Sequence, residues 1–181
     1  MDNPTTLLVA IMYVTIVATG LINVLMALSD IVGDKRKAAP VHTAWIVLLF
    51  LAYMSFFWDT TAILEIEGWN FLSFLGFIIG PIMLFFATNL ITEPGESDGN
   101  PALDSLYMQQ SARFFFFLLL VQIWTIGLDV AFAAVNYATY LTAFTGLFFF
   151  VLMISKSQAV HRGAVIIAGI ILLSRLVLQA L

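Results

Sequence analysis

The sequence predicts an all-α integral membrane protein, built as a bundle of six transmembrane helices in a single domain. Hydrophobic residues make up 62% of the 181 positions and charged residues only 10%, whereas soluble domains are about half apolar and about a quarter charged. Six apolar runs, most of them close to the ~20 residues that a helix needs to cross a bilayer, are separated by polar connectors. The basic residues are concentrated in alternate connectors, which fits an even number of crossings.

The predicted spans cover residues 7–28, 43–58, 69–91, 114–134, 137–154 and 163–181. In the first span Asn23 is the only strongly polar residue. The segment before this span lacks the basic stretch of a cleaved signal, so we expect the span to be retained. The second span is the shortest, and its aromatic residues Trp45, Tyr53 and Trp58 are typical of membrane interfaces.

The third span contains Gly76 and Gly80, four residues apart, followed at once by Pro81. Two glycines at this spacing form a shallow groove on one helix face, where a second helix backbone can approach closely. Pro81 removes one backbone donor and crowds the preceding turn, which predicts a kink in the third helix at Gly80–Pro81. We therefore expect the other helices to pack around a bent one.

The connector before the fourth span is long and acidic. Asn100–Pro101 within it has the pattern of a helix start. We expect a short amphipathic helix there, lying at the membrane interface. The fourth span contains Gln122 and Asp129, and the sixth contains Arg175.

The orientation follows from the basic residues. Six of the seven lie in the first, third and fifth connectors: Lys35, Arg36, Lys37, Arg113, Lys156 and Arg162. The positive-inside rule makes that side cytoplasmic and predicts both termini outside. We expect the protein in the cytoplasmic (inner) membrane of a prokaryote.

Asp129 and Arg175 are predicted at similar depth in the outer part of the membrane. Asp129 lies sixteen residues past Arg113, ~24 Å along an ideal helix, and Arg175 lies thirteen past Arg162, ~20 Å. A charged group within a span is costly and should face the bundle, a partner or water. The pair is interpreted either as an ion pair that gates or lines a polar path, or as a structural clasp between two helices, with Arg175 reaching to the interface as a further alternative.

Gln122 and Asn23 are two further candidates for lining a transport path. The alternative for both is a hydrogen bond between helices, which contributes about 1 kcal/mol in membrane proteins. Asp59, Glu65 and Glu67 surround one outer connector that has no basic residue. They are predicted either to form an acidic mouth that concentrates cations or to be a solvated loop.

Several chemistries lack the residues that they need. There is no cysteine, and HExxH, GxSxG and phosphate-binding Gly-Lys motifs do not occur. His42 and His161 would suit a haem or metal if they converged, but their spacing does not require it, and we expect them at a surface or interface. The sequence does not identify a cofactor, and a net charge of -4 gives no electrostatic basis for nucleic-acid binding.

Three functions remain open. The first is a small channel or transporter, possibly cation-conducting, with a polar path near Asp129. The second is a non-catalytic accessory or scaffolding subunit of a membrane complex. A membrane enzyme acting on lipid or quinone is the weakest because its motifs are missing. The expected partners are the lipid bilayer and either further copies of the chain or another membrane protein, because six short helices enclose little interior.

Overall fold

The computed structural model describes residues 4–33, 39–66, 68–92, 103–132 and 134–180, with the side chains at 62, 103–106 and 175–180 left aside. Over these ranges the chain is helical and contains no strand. The helices are α1 (Pro4–Val32), α2 (Pro40–Trp58), the single turn α3 (Thr60–Ile63), α4 (Phe71–Thr92), α5 (Leu103–Ala131), α6 (Tyr137–Ile154) and α7 (Gln158–Ala180). The prediction of an all-α bundle is confirmed.

Five of these helices are long and apolar enough to cross a membrane: α1, α2, α4, α6 and the part of α5 from Tyr107 to Ala131. The described apolar part of α7, Gln158–Ser174, is shorter. Large apolar side chains are exposed on each of them, for example Met26, Phe86 and Ile166. Exposed apolar surface of this kind suits a lipid environment, in which it needs no protein cover.

The long helices form a closed ring in the order α1, α4, α5, α6, α7, α2, with each contacting the next. Across the ring, α2 also packs against α4 and α5. One half of the ring is therefore filled by direct helix contacts. The other half, bounded by α2, α5, α6 and α7, is where the candidate site lies.

The helices alternate in direction, as polar contacts near their ends show. At one end of the bundle, the Thr6 hydroxyl donates to the carbonyl of Ile66, 3.2 Å away, so the start of α1 lies beside the second connector. At the other end, His42 Nε2 donates to the carbonyl of Ile91 at 2.7 Å. This hydrogen bond joins the start of α2 to the end of α4.

The third span forms α4, which continues through Pro81 as one helix. The bend at Pro81 stays a prediction. The indole of Trp124 from α5 lies in the groove formed by Gly76 and Gly80. It is so close to Gly80 that a Cβ added there would overlap the ring. A side chain of the same chain therefore occupies the groove where a second backbone was expected.

The separate interfacial helix is not seen among the described residues. Asn100 and Pro101 lie outside them, and α5 runs without a break from Leu103 into the fourth span. The depth of the three α2 aromatics in the membrane stays a prediction, but their exposure differs: Trp45 and Tyr53 are buried, and Trp58 is exposed. The reason is that α2 contacts four other long helices, so most of its faces meet protein.

Candidate functional site

A cavity of about 140 Å³ lies between α2, α5, α6 and α7, and Leu84 of α4 adds to its wall. Its floor is a stripe of α2 that includes Trp45, Leu49, Ala52, Ser55 and Asp59. Trp45 and Asp59 are fourteen residues apart on this stripe, ~21 Å along a helix. The cavity is therefore elongated and follows α2 across much of an apolar layer that is ~30 Å thick.

Two side chains that line the cavity each carry a buried polar atom without a hydrogen-bond partner among the described residues. The two atoms are Oε1 of Gln122 and Nε1 of Trp45, on side chains that are 8% and 2% exposed. Leaving a buried polar group without a partner costs about 1–3 kcal/mol. Both atoms are fully buried, so they lie behind the cavity surface and not on it.

The hydroxyls of Thr125 and Thr145 also line the cavity. Each donates its proton to a carbonyl one turn back in its own helix, Thr125 to Val121 and Thr145 to Leu141. A hydroxyl has one proton and two acceptor lone pairs. Both threonines can therefore offer only acceptors to the cavity.

Gln122 and these threonines lie at a similar level. Thr125 is three residues past Gln122, so the two share a face of α5. Gly146, the residue after Thr145 on α6, lies close to Gln122. A Cβ added at Gly146 would be 3.4 Å from the Cβ of Gln122. Asp59, at the C-terminal end of α2, is exposed and lines the cavity where it reaches the end of the bundle.

Aromatic rings pack around Trp45 at the other end of the α2 stripe. Trp45 makes edge contacts with Phe114, Phe115 and Phe149, with ring centroids 5.7, 5.0 and 6.4 Å apart. Phe114 and Phe115 are fully buried. The α2 stripe therefore has an acidic residue at one end of the cavity and an aromatic cluster at the other.

The two histidines are buried, so the expectation of a surface position was wrong, while their position at the membrane interface stays a prediction. His42 and His161 are 3% and 0% exposed. His161 Nε2 donates to the carbonyl of Ser155 at 3.1 Å, so Nδ1 accepts from the hydroxyl of Tyr107 at 2.8 Å. Each imidazole forms a hydrogen bond to a residue on another helix, His42 to Ile91 and His161 to Tyr107. These contacts between helices explain why both side chains are buried.

The three predicted path residues whose side chains the structure describes, Asn23, Gln122 and Asp129, do not gather in one place. Of these three, only Gln122 lines the cavity. Asn23 donates to the side-chain oxygen of Asn89 at 2.9 Å and thereby joins α1 to α4. Asp129 is half-buried two residues before the end of α5 and accepts from the hydroxyl of Thr139 at 2.7 Å.

The side chain of Arg175 lies outside the described residues, so its pairing with Asp129 stays a prediction. Among the predicted mouth acids, Asp59 lines the cavity and Glu65 is exposed in the second connector, while Glu67 also lies outside the described residues. The proposed mouth thus has one acid whose position at the cavity is described.

Sequence reasoning missed Trp45 and Thr145 as wall residues. A signal for this face existed in α2, where the small residues Ala52 and Ser55 share a helical stripe with Asp59. Small side chains on this face of α2 leave room for a cavity beside the helix. What the sequence did not contain was the information that α7 lies across this stripe without filling it.

Within the described part of the chain, no group of three or more histidine, cysteine, aspartate or glutamate side chains could hold a metal ion. Comparison with known proteins finds no matching family model, no matching curated protein and no matching solved structure. The fold itself defines the class: this chain is a helical integral membrane protein with several membrane-crossing helices.

Proposed function

We propose that the protein is a small membrane transporter whose substrate site is the cavity between α2, α5, α6 and α7. The observation that carries the proposal is one cavity whose mostly apolar wall includes the polar side chains of Gln122, Thr125 and Thr145. Apolar pockets with a few polar groups that converge on them are the usual form of a small-molecule site.

A transporter fits this cavity better than an open ion channel. Its wall is mostly apolar, and Trp45 at one end of it packs against Phe114, Phe115 and Phe149. A conducting pore needs polar groups or water along its whole length. A mostly apolar site with aromatic packing at one end instead suits a substrate that enters from one side and leaves after a conformational change.

The substrate enters, in this proposal, past Asp59 from the side that the distribution of basic residues predicts to be outside. The polar path then runs along Gln122, Thr125 and Thr145, not beside Asp129. Asp129 serves as a helix-end contact through its hydrogen bond with Thr139.

Reaction of single cysteines with a membrane-impermeant methanethiosulfonate tests the proposal, because the chain has no native cysteine. Thr125→Cys places a thiol in the cavity. Ile123→Cys places a matched thiol two residues away, at a site that is 56% exposed and outside the cavity lining. Only a thiol in contact with water ionises and reacts quickly.

The expected result is rapid labelling of Thr125→Cys from the outer side, slower labelling from the inner side in inverted vesicles, and no labelling of Ile123→Cys. Labelling of Thr125→Cys from neither side would contradict the proposal. Labelling from the outer side alone would make the cavity a binding pocket without transport and would also contradict it.

The second candidate, an accessory subunit, is favoured by the many large apolar side chains exposed on the helices, including Phe71, Leu72 and Leu147. These faces would pack against another chain or a second copy as well as against lipid. Purification in a mild detergent followed by mass measurement distinguishes the cases. A partner in constant ratio supports the subunit, and a single species of one chain and detergent supports a self-contained transporter.

A further inference from the structure

We infer that the ligand of the cavity is a small, uncharged molecule that carries a hydroxyl group on an apolar body. The inference rests on the proposed function, since it assumes that the cavity is a ligand site, and it adds the chemistry of the ligand. Its basis is the mixture of a hydrogen-bond donor and acceptors on the wall, the absence of charge from the deeper part of the described lining, and the size of the apolar space.

Gln122 provides the donor. Its Oε1 is fully buried, so the amide that lines the cavity faces it with the other end, Nε2. An amide nitrogen carries two protons and donates both of them. A ligand that lies beside Gln122 therefore has to present an acceptor.

The hydroxyls of Thr125 and Thr145 provide acceptors close to this donor. Their protons are already bound to helix carbonyls, which leaves only lone pairs for a ligand. A ligand hydroxyl can accept from the Gln122 amide and donate its own proton to one of the threonines. An ammonium group has no acceptor for Gln122, and a carboxylate has no proton for the threonines. A hydroxyl thus matches this set better than either ion.

The charge on the lining also favours an uncharged ligand. Asp59 is the one ionisable residue of the described lining, and it lies at the mouth, where it already has an interaction within the protein. The polar side chains that lie deeper, Gln122 among them, are neutral. Moving a charged group into an apolar layer is costly unless an opposite charge and hydrogen bonds compensate. A neutral ligand avoids this cost.

The rest of the cavity suits a small apolar body. Leu49, Leu118, Phe148 and Phe149 are among the apolar side chains that line it. Its volume is about 140 Å³, and an engineered apolar cavity of about 150 Å³ in another protein binds benzene. The body of the ligand is therefore about the size of one aromatic ring with a short chain.

Binding of four probes that share one body tests the inference. They are 2-phenylethanol, its methyl ether, 2-phenylethylamine and 3-phenylpropionate. The ether keeps the acceptor of the alcohol and loses its donor, and the last two carry an ammonium and a carboxylate. Each is titrated by calorimetry into the full-length protein in nanodiscs of zwitterionic lipid, and empty nanodiscs correct for partition into lipid. We expect the alcohol to bind about fivefold more tightly than the ether, the effect of one neutral hydrogen bond, and at least about tenfold more tightly than the two ions.

Variants show whether the named side chains are responsible. Gln122→Leu removes the donor and is expected to weaken binding of both the alcohol and the ether about fivefold. The double variant Thr125→Val with Thr145→Val removes the acceptors, so it should weaken the alcohol by a similar factor and leave the ether unchanged. Gln109→Leu is the matched control, because it replaces an exposed glutamine of α5 that does not line the cavity. If Gln122→Leu does not fold, Gln122→Met takes its place with the same expected result.

Binding of either ion as tight as that of the alcohol would overturn the inference while the proposed cavity site stands. Alcohol binding that is unaffected by both the Gln122 variant and the double threonine variant would also overturn it, because the ligand would then lie elsewhere. No binding of any probe would overturn the inference too. The proposed function is then decided separately by the labelling of Thr125→Cys, which needs no ligand.

Discussion

Trp124 Nε1 of α5 donates a hydrogen bond of 2.6 Å to the backbone carbonyl of Gly76 in α4, while the Trp124 ring lies against Gly80. The ring also stacks on Phe56 of α2, with centroids 6.1 Å apart. A single side chain thus joins three helices. Phe56 lines the cavity, so this contact also supports one wall of the candidate site.

Gly80→Ala is expected to destabilise the protein, although alanine is the better helix former. A Cβ at Gly80 would overlap the Trp124 ring, and the ring is held by its bond to Gly76. Overpacking of this kind costs about 1–3 kcal/mol. Unfolding in mixed detergent, followed by circular dichroism, measures the change.

Gly76→Ala is the matched control, since a Cβ there meets nothing within 4 Å. We expect a neutral or slightly stabilising effect of less than about 1 kcal/mol. Equal stability losses in the two variants would show that Trp124 does not occupy the groove as described.

Tyr107→Phe is expected to lower the free energy of unfolding by about 1–3 kcal/mol, because it leaves Nδ1 of the buried His161 without its donor. Tyr137→Phe is the control, as Tyr137 is an exposed tyrosine at the start of α6. The same detergent-unfolding assay compares them. A Tyr107→Phe variant as stable as Tyr137→Phe would argue against a buried Tyr107–His161 contact.

The helical class could be predicted because hydropathy and length report on it directly. Of the six predicted spans, five correspond to helices long and apolar enough to cross a membrane among the described residues. The packing faces could not be predicted in the same way. In a membrane the solvent is as apolar as the core, so a helix needs no contrast between its two faces. Trp45 and Tyr53 look like interface residues in sequence, yet the position of α2 among four neighbours buries them.

The candidate site was predictable only in part. Gln122 and Asp59 stand out because they are polar groups within or next to an apolar run, and both line the cavity. Asn23 stands out equally, but its polarity is satisfied by Asn89 on another helix. Whether a polar residue has a partner depends on residues far away in sequence, which a pattern along one helix does not report.

The orientation is testable with two cysteines placed in exposed connectors, Val135→Cys and Ser157→Cys. The distribution of basic residues predicts the fourth connector outside and the fifth inside. An impermeant maleimide should therefore label Val135→Cys in intact cells and label Ser157→Cys only after permeabilisation. The reverse pattern would place Asp59 at the inner side and would reverse the proposed direction of entry.

The most direct measurement of the central claim is an experimental structure of the protein in lipid nanodiscs, at a resolution that shows ordered water and ligands. We expect non-protein density in the cavity within hydrogen-bond distance, about 2.7–3.2 Å, of the Gln122 amide or of the Thr125 or Thr145 hydroxyl. The contrary result is a collapsed cavity in which α7 packs directly on α5 and no such density is present.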